Sequence, residues 1–381
     1  MISLALAGIL SIFADASEPA MPTVRSVALC DHRFEYRTWR PSRPGRFLLT
    51  PFGGRQTCLA VLASDGTVVF QRRFTQPKFS GEFPVLMLTD FKRLGTEPLF
   101  GYFMQQAIGA TENLTTFHFL DARFRDVFPR AIPDAPELLN THDVQVSSRG
   151  TYFFLFNRPR YLPSGPVLDA ELQEWGPEGP RGFRWNSQQT AELAPDESSG
   201  PNYLHMNSLE LDGDDGLLVS FLARSEVVRL GYPDGGLRWR LSARTWAFPN
   251  DPLHGFQWQH SARRLPNGNL LLYDNGTRER GGISRAVEYR LDERRKVAEL
   301  VWEYRNRDGN PFRERLGSVQ RLSNGNTLIG WGNPPVGAPD AKPGTVAPLF
   351  TEVDPQGHEV RELRGPLFRS YRISFEEEGA P

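Results

Sequence analysis

The sequence predicts an all-β protein, a six-bladed β-propeller, and three observations favour this class. Related turn motifs recur along the second half of the chain, where Gly150, Gly216, Gly268 and Gly325 are separated by 66, 52 and 57 residues. This spacing is close to the period of propeller blades. Short apolar runs flank each turn and show no helical periodicity. Each unit ends in a segment that carries tryptophan, such as LRWRL or LVWEY, and four short strands per unit are typical of a blade.

The turns and their flanking runs predict the individual strands. The turn SNGN lies between VQRL and TLIGW in the last complete unit, and PNGN occupies the same place in the unit before it. An Asn-Gly pair favours a tight hairpin because both central residues must accept positive φ. A third apolar run follows, at 227–230 in one unit and 286–291 in another. The tryptophan segment completes a four-stranded sheet.

The first 130 residues repeat less clearly. The runs RFLLTPF, CLAVLA, TVVFQRRF, VLMLTDF and TFHFLDARF suffice for two more blades. We therefore predict six blades within residues 35–376, with five or seven as alternatives, and leave open which strand closes the ring. Residues 160–200 contain PRYLPSG and GPEGPRG, and this composition predicts a long loop insertion over one face.

The amino terminus indicates a possible export signal. Residues 1–20 include the apolar run ISLALAGILSIF, followed by Ala14-Asp15-Ala16, which has the pattern of a signal-peptide core and cleavage site. No Lys or Arg precedes the run, so the alternatives are a buried first strand or an apolar segment that arose by chance. A signal predicts a periplasmic or secreted protein, and its absence a cytoplasmic one. Cys30 and Cys58 could pair in an oxidising compartment, and the sequence leaves that pairing open.

Charge and motifs exclude several functional classes. The net charge of -1 gives no reason to expect a nucleic acid or an anionic membrane as partner. No segment of the sequence is long and apolar enough to form a membrane-spanning helix in the mature protein. A Gly-rich phosphate loop with a following Lys is absent, which disfavours a nucleotide cofactor. The oligomeric state cannot be predicted, because the blades carry no helical stripe to interpret.

Three histidines lie at related positions of the repeat. Counted from the turn glycine, His142 and His260 precede it by eight residues and His205 by eleven, and we attribute the excess to a longer acidic turn, LDGDDG. The next unit has Gly317 at this position. Equivalent positions of propeller blades converge near the axis. We therefore predict one site that contains all three imidazoles.

Four motifs carry a family resemblance. They are THDVQV at 141–146, LHMNSLELDGDDGLLVS at 204–220, QHSARRLPNGNLLLYDNG at 259–276 and VQRLSNGNTLIGWGN at 319–333. In their order and spacing they resemble the aryl sulfotransferase family that works without a nucleotide sulfate donor. The likeness covers most of the chain and is strongest from 140 to 335. It implies a six-bladed propeller that moves a sulfuryl group from a phenolic sulfate ester to a phenol through a sulfated histidine.

The resemblance also implies roles for individual residues. It makes His260 the nucleophile, with His205, Asn207 and His142 beside it. A neutral imidazole is a competent nucleophile near neutral pH. Another histidine can protonate the leaving phenolate or deprotonate the acceptor, and either His142 or His205 can take either role. Asn207 and an arginine are expected to stabilise the sulfuryl oxygens.

The sequence departs from the family pattern at two positions. Leu222 stands where an arginine is common, so Arg224 and Arg285 become the candidate substrate-binding cations. Ser261 follows His260 where an aspartate is common. The alternative function is therefore a non-catalytic propeller that binds a ligand at the channel mouth. Three dispersed histidines could hold zinc, but the His-Glu-x-x-His motif is absent, and we predict neither a metal nor a cofactor.

Overall fold

The structure is a computed structural model that describes residues 21–53, 56–75, 86–107, 113–127, 138–195, 199–307, 312–334, 345–366 and 370–379. Its strands form six antiparallel sheets arranged in a ring, so the predicted six-bladed β-propeller is confirmed. Helical structure in the described part of the chain consists of four 3₁₀ turns, at Ser187–Gln189, Ala191–Leu193, Leu222–Arg224 and Arg278–Arg280. None of the described helices is long and apolar enough to cross a membrane.

The strands follow the chain blade by blade. An amino-terminal hairpin consists of β1 (Thr23–Leu29) and β2 (His32–Thr38). Blade 1 contains β3 (Gly45–Leu49), β4 (Phe52–Gly53), β5 (Gln56–Ala63) and β6 (Val68–Thr75). Blade 2 contains β7 (Leu86–Arg93), β8 (Phe100–Ala107) and β9 (Asn113–Leu120). Blade 3 contains β10 (Leu139–Val146), β11 (Tyr152–Leu162), β12 (Gly165–Gly176) and β13 (Gly179–Asn186).

The remaining blades have the same plan. Blade 4 contains β14 (Met206–Leu211), β15 (Gly216–Phe221), β16 (Glu226–Gly231) and β17 (Leu237–Leu241). Blade 5 contains β18 (His260–Arg264), β19 (Leu270–Asp274), β20 (Arg285–Asp292) and β21 (Val297–Arg305). Blade 6 contains β22 (Ser318–Arg321), β23 (Thr327–Gly330), β24 (Val346–Val353) and β25 (Glu359–Pro366). The last strand is β26 (Ile373–Glu377).

Both ends of the chain take part in closing the ring. Strand β26 pairs with β3 and becomes the innermost strand of blade 1. The amino-terminal hairpin pairs through β2 with β25, on the outer edge of blade 6. The innermost strands then contact one another in the order β26, β7, β10, β14, β18, β22 and back to β26.

Apolar side chains fill the spaces between successive blades. Six clusters of buried residues each join two neighbouring sheets. A blade is covered on both faces, so its central strands are apolar without alternation. All five residues of β19, LLLYD, are buried for this reason. Between blades 6 and 1, the rings of Phe350 and Phe47 stack with their centroids 4.4 Å apart.

The stretch 160–200 differs from the predicted loop insertion. Most of it belongs to β11, β12 and β13, and β11 pairs with β12 along their full length. The glycines that suggested a loop lie at hairpin turns, where Gly165 and Gly179 have φ values of 127° and 124°. Such values favour glycine. The turn signals therefore marked the ends of long strands.

A cluster of buried charges joins the inner strands near the axis. The carboxylate of Asp143 on β10 accepts from Arg372, which precedes β26, at 2.8 and 3.0 Å. Lys92 on β7 and Arg263 on β18 donate to the same carboxylate at 2.7 and 2.8 Å. Arg372 also pairs with Asp90 on β7 at 2.5 Å. This axial ion cluster connects blades 1, 2, 3 and 5.

A disulfide bond strengthens the ring closure. Cys30, in the turn between β1 and β2, is bonded to Cys58 on β5, with 6.0 Å between their Cα atoms. Both side chains are buried. The bond therefore attaches the hairpin that extends blade 6 directly to blade 1, and it settles the pairing that the sequence left open.

Removal of this disulfide is expected to destabilise the protein. The cross-link spans 28 residues, and closing a loop of that size removes conformational entropy from the unfolded chain. The double variant Cys30→Ala/Cys58→Ala should lose about 3 kcal/mol of unfolding free energy, measured by urea denaturation without reductant. With reductant, the difference in unfolding free energy between wild type and the variant should decrease, because the wild-type disulfide is reduced. Equal urea midpoints under oxidising conditions would contradict a stabilising role.

Candidate active site

Three imidazoles from three blades meet at one end of the inner strands. His142 lies on β10, His205 immediately before β14, and His260 begins β18. The ring centroids of His142 and His205 are 5.2 Å apart. The ring of Tyr371 bridges the group, at 5.3 Å from His142 and 6.4 Å from His260. The structure thus brings together the histidines that the sequence places in separate repeats.

The exact repeat position of His205 differs from the sequence analysis. The turns after β10, β14 and β18 each contain a backbone hydrogen bond that spans four residues, donated by the amides of Ser147, Asp212 and Leu265. Five residues before those amides lie His142, Asn207 and His260. The acidic turn is therefore no longer than the others, and Asn207 occupies the equivalent position. His205 reaches the site from two residues upstream, with a left-handed backbone (φ 49°) and a bulge in β14.

The equivalent position in blade 6 has room only for glycine. Gly317 has a φ of 105°, and a Cβ atom there would lie 2.5 Å from the ring of Tyr273. Both the backbone conformation and the packing exclude a fourth histidine. The site therefore draws its imidazoles from blades 3, 4 and 5.

Asn275 determines which nitrogen of His260 carries the proton. Its amide nitrogen donates to the carbonyls of Arg313 and Leu316 at 2.7 and 2.9 Å. Its Oδ1 therefore faces His260 Nδ1, 2.7 Å away, and must accept a hydrogen bond from the N–H at that position. The neutral ring then has its lone pair on Nε2. Burial lowers the pKa of His260 to about 3, which keeps this lone pair available at neutral pH.

His142 is held in the same tautomer. The amide nitrogen of Asn140 donates to the carbonyl of Met206 at 3.1 Å, so its Oδ1 accepts from His142 Nδ1 at 2.6 Å. The lone pair again lies on Nε2. Burial lowers the pKa of His142 well below its usual value, and the neighbouring imidazoles and Arg372 add to this effect.

His205 has the opposite tautomer. Asn202 Oδ1 accepts the backbone N–H of His205 at 3.1 Å, which turns the amide nitrogen towards His205 Nδ1 at 3.2 Å. Nδ1 must accept, so the ring proton is on Nε2. Burial lowers the pKa of His205, and the positive charge of Arg315 lowers it further. The site therefore contains two imidazole lone pairs and one imidazole N–H donor.

Asn207 positions the backbone of the nucleophile candidate. Its amide nitrogen donates to the carbonyl of Gln259 at 2.7 Å, and its own carbonyl accepts from the Tyr371 hydroxyl at 2.9 Å. The side chain is fully buried. These contacts join blade 4 to the residue before His260 and to the carboxyl-terminal segment. The contact with Gln259 uses one of the two amide N–H groups that the sequence analysis assigned to the sulfuryl oxygens.

The two arginines predicted to bind substrate are engaged elsewhere. Arg285 is fully buried and pairs with Asp251 and Asp274 at 2.8 and 2.9 Å. Arg224 belongs to a 3₁₀ turn, donates to the carbonyls of Glu192 and Ala194 at 2.8 Å, and covers the ring of Tyr203. Their similar spacing to the strand ends did not predict similar surroundings, because Arg285 begins β20 inside blade 5 and Arg224 lies in a turn. Both guanidinium groups are committed to these contacts, which contradicts their predicted role in substrate binding.

Five groups near the imidazoles were missed by the sequence analysis. Three are the orienting asparagines, and the other two are Tyr371 and Arg315. Asn140 and Asn202 lie two and three residues before a histidine, a spacing at which an amide side chain can bond the backbone. Asn275 follows directly on the apolar run of β19. No local pattern marks Tyr371, which reaches the site through closure of the ring.

Comparisons with known proteins agree with this architecture. A curated relative, arylsulfate sulfotransferase AssT of Escherichia coli O6:H1 (strain CFT073), is 26% identical over 187 residues, which are 38% of this chain and 31% of the relative. The matched part is thus about a third of that protein's length. A solved structure of a protein of unknown function from Bacteroides caccae has a TM-score of 0.53 at 14% identity, with 88% of this chain and all of that chain covered. It supports the fold alone.

The apo structure of AztD from Citrobacter koseri shares 7% identity and has a TM-score of 0.43, covering 88% of this chain and 98% of that chain. The family model described as arylsulfotransferase (ASST) matches residues 133–371, which include every strand that contributes an imidazole. The chain belongs to the arylsulfotransferase family.

Proposed function

We propose that this protein is an aryl sulfotransferase that transfers a sulfuryl group from a phenolic sulfate ester to a phenolic acceptor through a sulfated His260. The observation that carries the proposal is the buried His260 ring, whose Nδ1–H is held by Asn275 and whose Nε2 therefore presents a lone pair. Membership of the family and the two neighbouring imidazoles support the same chemistry. The proposed ligands are small aromatic molecules.

In the first half-reaction, His260 Nε2 attacks the sulfur of the donor. An N–S bond forms, the S–O bond to the aromatic ring breaks, and its electron pair leaves on the phenoxide oxygen. His205 is neutral and presents an Nε2–H, so it stabilises the developing phenoxide by a hydrogen bond and does not give up its proton. The phenoxide leaves as an anion and takes its proton from water.

In the second half-reaction, a phenolic acceptor replaces the first product. The Nε2 lone pair of His142 takes the phenolic proton, which makes His142 the general base. The acceptor oxygen attacks sulfur, the N–S bond breaks, and its electron pair returns to His260. His142 then releases its proton to solvent, which balances the proton taken up by the first phenoxide. Splitting one substitution into two steps lowers each barrier.

We propose a periplasmic or secreted location. Structural disulfides persist mainly in oxidising compartments, and the bond between Cys30 and Cys58 supports export. The predicted signal at residues 1–20 lies outside the described residues.

The first test of the proposal is covalent labelling of His260. Exposure to 4-nitrophenyl sulfate should release nitrophenolate and leave one sulfuryl group on the peptide that contains His260, as detected by mass spectrometry. His260→Gln should lose at least about a thousandfold of the transfer rate, as expected when a covalent catalyst is removed. His254→Gln is the matched control, because this exposed histidine lies six residues away. Ligand binding without label or turnover, with several donors, would favour the alternative binding module.

The tautomers predict different defects for the other two histidines. His142→Gln should retain the initial burst of phenolate but lose about a hundredfold in transfer to the acceptor, because it lacks the general base. His205→Gln should slow the burst, and more severely for donors with basic phenols, since these depend most on hydrogen bonding to the leaving oxygen. Rapid-mixing kinetics separates the two steps. Identical defects in both steps for both variants would argue against the assigned roles.

Because His260 is buried in its neutral form, the stability of the protein should depend on pH. Its pKa is about 3 in the folded protein and about 6.5 when unfolded, so the unfolded state binds more protons between these values. The contribution is complete above pH 6.5 and is lost as the pH falls towards 3. Between pH 8 and pH 5, wild type should lose about 2 kcal/mol more unfolding free energy than His260→Gln, as measured in urea. His254→Gln should behave as wild type does, and parallel losses in all three proteins would be inconsistent with this assignment.

A further inference from the structure

A sulfuryl transfer site needs a cation that the residues discussed so far do not provide. The three oxygens of the sulfuryl group that do not react carry negative charge throughout the transfer, and fixed cations stabilise that charge. Arg285 and Arg224 are engaged elsewhere, as described above. Arg372 lies close enough to lower the pKa of His142, but its guanidinium is buried between the carboxylates of Asp90 and Asp143. Its charge is already neutralised by these partners.

Arg315 stands in the wall of the His260 site. The amide nitrogen of Asn275 donates to the carbonyls of Arg313 and Leu316. These two residues flank Arg315 in the chain. The same Asn275 orients His260. The carbonyl of Arg315 accepts from the backbone of Asn333 at 2.6 Å. The main chain around Arg315 is therefore hydrogen-bonded to Asn275, which orients His260, and to Asn333 of blade 6.

Within the part of the chain that the structure describes, the side chain of Arg315 donates no hydrogen bond. It is 54% exposed, and the carboxylate nearest to it within the described residues, that of Glu314, lies 3.8 Å from its Nε. That separation is too long for a hydrogen bond. Its charge nevertheless reaches the imidazole of His205 strongly enough to disfavour protonation of that ring. Arg315 thus combines a largely exposed guanidinium, which has the carboxylate of Glu314 at ion-pair distance but beyond hydrogen-bond reach, with a main chain fixed beside the residue that orients His260.

We propose that Arg315 binds the non-reacting sulfuryl oxygens of the aryl sulfate donor at the mouth of the His260 site. Its planar guanidinium can offer two parallel N–H donors to two sulfate oxygens. The ester is thereby held with its sulfur towards His260 and its leaving oxygen towards His205. Arg315 from blade 6 supplies the charge that Leu222 in blade 4 lacks. This inference rests on the proposed function for its substrate, but the anion site itself can be tested separately.

The experiment measures the binding of inorganic sulfate to the intact protein. Sulfate is titrated into ¹⁵N-histidine-labelled protein, and the shifts of the His205 and His260 side-chain signals report occupancy. Arg315→Gln should weaken sulfate binding at least about tenfold, since it removes a charged hydrogen-bond donor, whereas Arg315→Lys should recover part of the loss. Arg295→Gln is the matched control, because Arg295 is 80% exposed with its Nε 3.8 Å from Asp292, in the turn between β20 and β21.

The outcomes separate this inference from the proposed function. Weaker sulfate binding in Arg315→Gln, but not in Arg295→Gln, supports the anion site even if no donor is turned over. If wild type also turns over aryl sulfates, kcat/KM for Arg315→Gln should fall at least tenfold. Equal sulfate binding by wild type and Arg315→Gln would overturn the inference whatever the transfer activity. It would also be overturned if sulfate left the histidine signals of wild type unchanged.

Discussion

The axial ion cluster is the constraint on which both the ring and the site depend. Asp143 accepts from groups on three other blades, and one of these groups is Arg372, directly before the last strand of the chain. Buried charges are costly unless each is paired and hydrogen-bonded, so these strands must meet in one arrangement. Closure by β26 then carries Tyr371, the neighbour of Arg372, between His142 and His260. The same contact that completes the propeller thus completes the wall of the imidazole site.

Asparagine side chains give the three imidazoles different chemistry. The pKa of each histidine is lowered, which favours the neutral ring, so its reactivity depends on which nitrogen bears the proton. Asn275 and Asn140 present their oxygens to the rings, whereas Asn202 presents its nitrogen. Two rings therefore present a lone pair on Nε2, and the third presents an N–H there. Without these contacts, the three histidines would not differ in which ring nitrogen carries the proton.

Most of the architecture and part of the site were predictable. The spacing of turn glycines indicated the blades, and the repeated position of His142 and His260 indicated a shared site, because equivalent strands converge. His205 was expected in the same position, yet a bulge and a left-handed residue bring it there from two residues upstream. Arg224 and Arg285 were misjudged, since distance along a strand does not reveal whether a side chain faces a channel, a turn or the next blade. The stretch 160–200 was predicted as a loop because its glycines mark turns, although long strands join those turns.

The sequence by itself determined the class of fold and the residue types available for chemistry, and it favoured six blades over five or seven, because hairpin turns and apolar runs are local signals. It also carried the resemblance from which the nucleophile was inferred. Only the tertiary structure decided how the ring closes, which nitrogen of each imidazole holds the proton and with which partners Arg224 and Arg285 are engaged. Those properties depend on contacts between residues that are far apart in the chain, such as Asn275 with Leu316 or Arg372 with Asp143. Their partners are chosen by packing of the blades, which no local pattern encodes.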